Sequence, residues 1–305
     1  MRRTTYWRIG ELQKDMITEQ QILELIRKIT PNSKKYLFDD AAIIEKNLIV
    51  TTDTLVENTH FTLETYTPEE IGHKALAVNL SDIAAMGGKP LYALLSLSLP
   101  KKITLTWIKR LYKGILSCAK KYKTEIIGGN LTRSKEINIT ITVIGKTVVK
   151  TPRWGVSTRS NAKPGDIVFA TGTFGSPAKK PIPQIEIGQK IVGACFKHAP
   201  ALMDSSDGLA DCLIQISEQS KVKIIVEEGK IPKGRNPLNL ALYAGEDYQL
   251  VGTVSKPDWE KLKKIKGIKI IGEVLKQKGA FLKLSNGMTI KLNANRAFQH
   301  FKLRN

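Results

Sequence analysis

The stretch LFDDAAIIEKNLIVTTDTLVENTHF, Leu37 to Phe61, sets how the rest of the chain is read. Its centre, Asn47 to Asp53, is short and rich in β-branched residues, which predicts a strand with Asp53 at its end. Asp39 and Asp40 stand against the apolar residues that lead into it. A carboxylate loses hydration beside apolar neighbours unless a cation or hydrogen-bond donors replace the water. The stretch therefore predicts a strand whose acidic end faces something positive.

On the N-terminal side, Thr18-Glu-Gln-Gln21 reads as a capping box, with Ile22, Leu25, Ile26 and Ile29 at helical spacing before Pro31. On the C-terminal side, Thr67-Pro68-Glu69-Glu70 combines an N-cap, a proline at the first helical position and a second capping box. The helix it starts runs to Gly87-Gly88 and places Asn79 and Asp82 on one face. Leu91 to Leu99 reads as a buried strand and Thr104 to Tyr122 as an amphipathic helix. Thr124 to Ile127 reads as a strand broken by Gly128-Gly129, and Ile137 to Val149 as a long alternating strand. The order α, β, α, β, α, β, β departs from strict alternation and predicts α+β layers. Turn residues in Arg153 to Gly165 put a boundary near residues 150 to 155, giving domains 1–152 and 153–305, the second an α/β unit. That second half restarts with DIVFATGTFG and ends in a hairpin at Asn286-Gly287.

The chain has 305 residues and 42% hydrophobic content, ample for globular cores, and no apolar run of membrane-spanning length. The start, MRRTTYWRIGELQKD, lacks an apolar signal segment, so a soluble cytoplasmic protein is expected. Cys118, Cys195 and Cys212 lack metal-ligand spacing and read as small core residues. Lys and Arg number 48 against 28 Asp and Glu, a formal charge of +20. The basic residues are spread without aromatic interleaving, which argues against nucleic acid as the main partner.

The scarce acids gather at the ends of apolar segments beside small residues: Asp39-Asp40, Thr51-Thr52-Asp53, Asn79 with Asp82, Asp204-Ser-Ser206-Asp207-Gly208 and Gly245-Glu246-Asp247. Each alone reads as a turn or a helix cap. Together, oxygen ligands without His or Cys suit hard cations such as Mg²⁺, whose shell substrate phosphates complete. Gly128-Gly129 offers bare backbone N–H groups to a phosphate, and Arg159 a fork of donors. No Walker A or GxGxxG pattern is present. His60 also reads as a loop histidine, and Tyr112 lies on an apolar helical stripe.

The ordered set DDAA, TTDT followed by HF, AVNLSDIAAMGGKP, IIGGNLTRS, STRSNAKPGD, TGTFG, DSSDGL and GEDYQL resembles the thiamine-monophosphate kinase family, within the aminoimidazole ribonucleotide synthetase superfamily. The resemblance runs from about residue 36 to 250 and implies a two-domain α+β architecture whose N-terminal sheet pairs across a homodimer. It implies ATP-dependent transfer of a phosphoryl group onto thiamine monophosphate with the help of several Mg²⁺ ions. Carried over, Asp40, Thr51, Thr52, Asp53, Asp82 and Asp204 hold metal, with Asp207 a further ligand; Asp53, Asp82, Asp204 and Asp207 are the catalytic acids. Tyr112, Gly129, Arg159 and Ser206 lie at the nucleotide, His60 and Glu246 at the thiamine phosphate, and Phe298 stacks on substrate.

Three departures stand out. The family's GGD is Gly128-Gly129-Asn130, which leaves Asn130 as a neutral oxygen ligand at the nucleotide and metal. Asn58-Thr59 replaces the glycine usual before the histidine. Pro177-Ala-Lys-Lys-Pro181-Ile-Pro183 follows TGTFG in place of a small-residue turn. Two alternatives remain at this point: another ATP-dependent enzyme of the superfamily, or a non-catalytic homologue that binds nucleotide or RNA.

Overall fold

The computed structural model describes residues 19–31, 39–45, 47–148 and 157–297. The expected first helix is α1 (Glu19–Ile29), whose Leu25 and Ile29 stay exposed; Thr18, its expected cap, lies outside the described residues. The expected domain boundary falls largely within 149–156, also outside them.

The first sheet holds β1 (Ala42–Ile44), β2 (Leu48–Val56), β3 (Gly88–Leu99), β4 (Glu125–Arg133) and β5 (Asn138–Thr147), in the order β1-β2-β5-β3-β4. Helices α2 (Pro68–Ala85) and α3 (Leu105–Tyr122) complete this half. Two details differ from the sequence reading. The short β1 was expected as loop, and it pairs only with Leu48 to Val50, so among the described residues β2 has a free strand edge from Thr51 onward. The strand expected to break at Gly128-Gly129 instead runs through them to Arg133. The reason is close approach: a Cβ on Gly129 would lie 1.6 Å from the Leu95 carbonyl oxygen, so glycine is what lets β4 lie against β3.

The second sheet holds β6 (Ile167–Thr171), β7 (Ala201–Asp204), β8 (Lys223–Glu227), β9 (Leu250–Val254), β10 (Ile268–Leu275), β11 (Gly279–Lys283) and β12 (Thr289–Lys291), in the order β12-β11-β8-β10-β6-β9-β7. Its helices are α4 (Ile185–Ala194), α5 (Leu209–Ser220), α6 (Leu238–Tyr243) and α7 (Lys256–Leu262). Both sheets mix parallel and antiparallel pairs, the α+β arrangement expected. Alternation along the strands splits the apolar residues between two cores: Phe169, Leu202 and Leu250 join the core around α2, while Val168, Ala170, Met203 and Val251 face α5.

Helix α2 begins at the predicted capping box: Glu70 N donates to Thr67 Oγ1 at 3.3 Å, and Thr67 N donates to Glu70 Oε2 at 2.8 Å. From there it is buried nearly all round, packed on α3, α4, the first sheet and β7. Glycines permit that crowding. A Cβ on Gly72 would meet Leu111 O at 2.1 Å, and one on Gly114 would meet Glu69 O at 2.0 Å. Helix α2 thus joins the two sheets, and whatever it carries at its buried positions is presented between them. Cys118 and Cys212 are buried and unbridged, as expected of core residues.

One ion pair makes stability depend on pH. His198 Nε2 lies 3.1 Å from Asp166 Oδ1, and its Nδ1 donates to Ala199 O at 2.8 Å. The hydrogen bond to Asp166 holds the imidazole pKa above its ordinary value. The contribution of the pair is therefore complete below about pH 6.5, the unfolded value, and fades as pH rises through the higher folded value. His198→Asn is expected to lose more stability in urea melts at pH 6 than at pH 9; an equal deficit at both would show that the charge contributes nothing.

Candidate active site

The cavity between the sheets has a volume of about 920 Å³ and wraps the free edge of β2. Strand alternation decides what β2 offers it. Thr51 and Asp53 share the inner face with the buried Leu55, whereas Thr52 and Thr54 are exposed on the outer face. Thr51 Oγ1 donates to Asp82 Oδ2 at 2.5 Å, and Asp53 N donates to Asn79 Oδ1 at 3.0 Å. The predicted shared face of Asn79 and Asp82 on α2 is thus used twice, once for the backbone and once for the hydroxyl of β2. Thr52 turns the other way: its hydroxyl donates to Ile141 O at 3.2 Å and pairs with Thr142 Oγ1 at 3.0 Å.

Three acids converge. Oxygens of Asp40, before β1, Asp82, on α2, and Asp204, at the end of β7, all lie within 4.8 Å of one another. One cation adjoins them: Arg159 Nη2 donates to Asp40 Oδ1 at 2.9 Å, and its Nη1 donates to Gln215 Oε1 at 2.5 Å. Asp39 supports that arrangement by accepting Arg159 N at 2.7 Å. Asp204 Oδ2 is buried and has no hydrogen-bond partner among the described residues, and neither do the nearby hydroxyls of Ser81 and Ser205.

The electrostatics follow from crowding. Burial, then the charges of Asp53, Asp204 and Asp40, push the Asp82 carboxyl well above the ordinary carboxylate range. Burial and then Asp40 do the same to Asp204. Burial raises Asp53 to about 6, with Asp40 adding to it, and raises Asp207 to about 7, with Asp211 adding. Burial pulls the Arg159 guanidinium down, but Asp40 and Asp204 together outweigh it and hold the charge in place. One arginine against these acids leaves an excess of carboxylates in a set that is all oxygen, with one buried oxygen unpartnered. Those donors fit a hard divalent cation such as Mg²⁺.

Of the residues expected at the site, Asp40, Thr51, Thr52, Asp53, His60, Asp82, Arg159, Asp204, Ser206, Asp207 and Glu246 all line this cavity. Tyr112, Gly129 and Asn130 do not. Tyr112 packs against the core from α3, as its spacing alone suggested. Gly129 and Asn130 are exposed on β4, three strands from β2 through the row Thr54, Thr140, Ser96, Asn130. That is roughly 14 Å across the sheet from Thr54 within one chain, and neither residue shares the cavity lined by Asp40, Asp82 and Asp204. Phe298 lies outside the described residues. Two residues escaped the sequence reading: Glu19, on α1, which lines the cavity, and Lys74, which donates to the cavity-lining Glu246; a lysine beside His73 inside the apolar IGHKALAVNL run was the signal available for it.

The fold has counterparts among known proteins. The family described as AIR synthase related protein, N-terminal domain, matches residues 38–147. The thiamine-monophosphate kinase of Bacillus subtilis is 36% identical over 328 residues, covering 92% of this chain and 99% of that one. A solved structure described as AaThiL complexed with AMPPCP and TMP aligns with a TM-score of 0.79 and 31% identity, covering 97% of this chain and all of the other. The thiamine monophosphate kinase structure from Aquifex aeolicus gives 0.76 and 30%, covering 93% and 100%. The chain belongs to the thiamine-monophosphate kinase family.

If the acids are held together for a cation, removing one negative charge relieves the metal-free fold. Asp204→Asn is expected to melt at a higher temperature than the unaltered protein in EDTA and to lose the rise that added Mg²⁺ produces. A metal-free melting point that falls by several degrees would instead make Asp204 a structural acid.

Proposed function

We propose that the chain transfers the terminal phosphoryl group of ATP onto the phosphate of thiamine monophosphate, giving thiamine diphosphate and ADP. The observation that carries this reading is the likeness to thiamine-monophosphate kinases over almost the whole chain, and a family relative has been solved with AMPPCP and TMP. The cavity supplies chemistry of the right kind. Phosphoryl transfer asks little covalent work of a protein; it needs two phosphorylated reactants held in line and their charge neutralised.

Asp40, Thr51, Asp53, Asp82 and Asp204 would hold Mg²⁺, with Asp207 beside them, and Thr52 would serve only through the edge of its strand. Bound there, Mg²⁺ supplies positive charge to the phosphate oxygens of both reactants. The residues do the rest by position. Arg159 keeps Asp40 aimed, with its fork shared between Asp40 and Gln215. Ser206 and Asp207 sit on the turn that opens α5, where they can meet a phosphate. His60 and Glu246 form the wall assigned to thiamine phosphate by the family resemblance.

We also propose a homodimer built on the first sheet. Support comes from the exposed apolar residues of its outer side, Tyr92 and Leu94 on β3, beside the exposed Ile127 on the edge strand β4. A second copy on that side gives Asn130, on the same face, a route to a neighbour's nucleotide that it lacks within one chain. No helix among the described residues is long and apolar enough to cross a membrane, and we place the enzyme in the cytoplasm with its substrates.

The test is a coupled assay with ATP, Mg²⁺ and thiamine monophosphate, read for thiamine diphosphate, with thiamine and an aminoimidazole precursor as control substrates. Turnover on thiamine monophosphate alone is expected, and Asp82→Ala should lower it at least 1,000-fold, on the order of 4 kcal/mol of transition-state stabilisation. Turnover on a control substrate only, or full activity in Asp82→Ala, would overturn the reading.

A further inference from the structure

Lys74 is among the largest fully buried side chains of the described residues, with none of its surface exposed. A lysine in that position is costly unless its ammonium is paired. Here Nζ donates to Glu246 Oε1 at 2.7 Å and to the His60 carbonyl at 2.9 Å, and it lies 5.2 Å from the centre of the Tyr66 ring. A buried ion pair gives little net stability against an apolar pair of similar volume, so its presence asks for another reason.

The partners supply one. His60 and Glu246 both line the cavity, one from the turn after β2 and the other from the loop before β9, so the ammonium ties the two halves of the molecule across the cavity wall. The Glu246 loop is also held in an unusual conformation. Glu246 has φ 55° and Tyr248 φ 49°, the left-handed region that costs a side chain on the order of 1 kcal/mol or more. Its backbone is pinned to the Asp204–Asp207 turn, with Glu246 N donating to Ser206 O at 2.6 Å and Tyr248 N to Ser205 O at 3.0 Å. The Glu246 side chain is 34% exposed, so the part not bound to Lys74 remains open to a ligand.

We infer that Lys74 is a positioning residue: its buried ammonium fixes the Glu246 loop and the His60 turn as one wall, and so sets affinity for the phosphorylated acceptor rather than for ATP. Which substrate is affected rests on the proposed thiamine-monophosphate reading; the fixing of the loop does not. Lys74 acts through Glu246, so the two residues should be coupled. Truncating either should remove the same interaction, and truncating both should cost little more than one.

The experiment compares the full-length protein with Lys74→Met, which keeps an unbranched stem, with Glu246→Gln and with the double variant. Amide hydrogen exchange at Glu246 and Tyr248 is expected to quicken at least tenfold in Lys74→Met; unchanged protection would overturn the inference whatever the substrate. In steady-state kinetics KM for thiamine monophosphate is expected to rise at least tenfold in each single variant, with KM for ATP within twofold of the original. The double variant should match Glu246→Gln within about twofold. Multiplying losses, or an equal rise in both KM values, would make Lys74 a general structural residue instead. If Lys74→Met does not fold, Lys74→Gln, which keeps one donor for His60, carries the same expectations. Absence of thiamine-monophosphate turnover in the unaltered protein would count against the proposed function alone, since the exchange measurement still decides the role of Lys74.

Discussion

Asp40, Asp82 and Asp204 bring their oxygens within 4.8 Å of one another from a loop, a helix and a strand end, against a single neighbouring arginine. Like charges at that distance in a buried site repel strongly, and the fold holds them together only because each is fixed by an element with its own reason to be there. Asp82 rides on α2, which the apolar cores of both sheets enclose. Asp204 ends β7, paired to β9 along its whole length. Asp40 is held by Arg159, itself anchored through its backbone by Asp39 and through its side chain by Gln215. Hydrophobic burial thus sustains an electrostatic arrangement that is unfavourable until a cation or a phosphorylated ligand joins it.

Helix α2 sets two parts of the cavity at once. Lys74 and Asp82 are eight residues apart on it, which is roughly 12 Å along the axis. One of these residues holds the wall formed by His60 and Glu246, and the other the acid cluster. Because the glycines at 72 and 114 let α3 press directly on α2, neither point can move without the other. A rigid spacing of this kind is what in-line transfer between two bound phosphates asks of a scaffold.

Much of this was legible in the sequence where local chemistry and tertiary role coincide. The capping box at Thr67 and Glu70 predicted α2, β-branching predicted β2, and acids beside apolar runs predicted one shared site, where Asp40, Asp82 and Asp204 do converge; the other expected residues that line the cavity were drawn in part from the family resemblance. What failed to show depended on neighbours distant in the chain. Gly128-Gly129 looked like a strand break, because nothing local reveals that Leu95 lies too close for a side chain. Thr51 and Thr52 looked equivalent, because only the position of α2 decides which face of β2 is the inner one. Lys74 was passed over because a lysine in a helix is ordinary until burial on every side makes it unusual. Asn130 read as a ligand by resemblance, yet within one chain it stands three strands from the acids.

The central claim is that the acid cluster exists to bind divalent cations between the two sheets. Anomalous diffraction from crystals grown with Mn²⁺, a stand-in for Mg²⁺ at oxygen ligands, and a non-hydrolysable ATP analogue tests it directly. The account predicts anomalous peaks within coordination distance of Asp40, Asp82 and Asp204. Bound nucleotide with its manganese elsewhere, and the three aspartates ligated by nothing but protein, would contradict it.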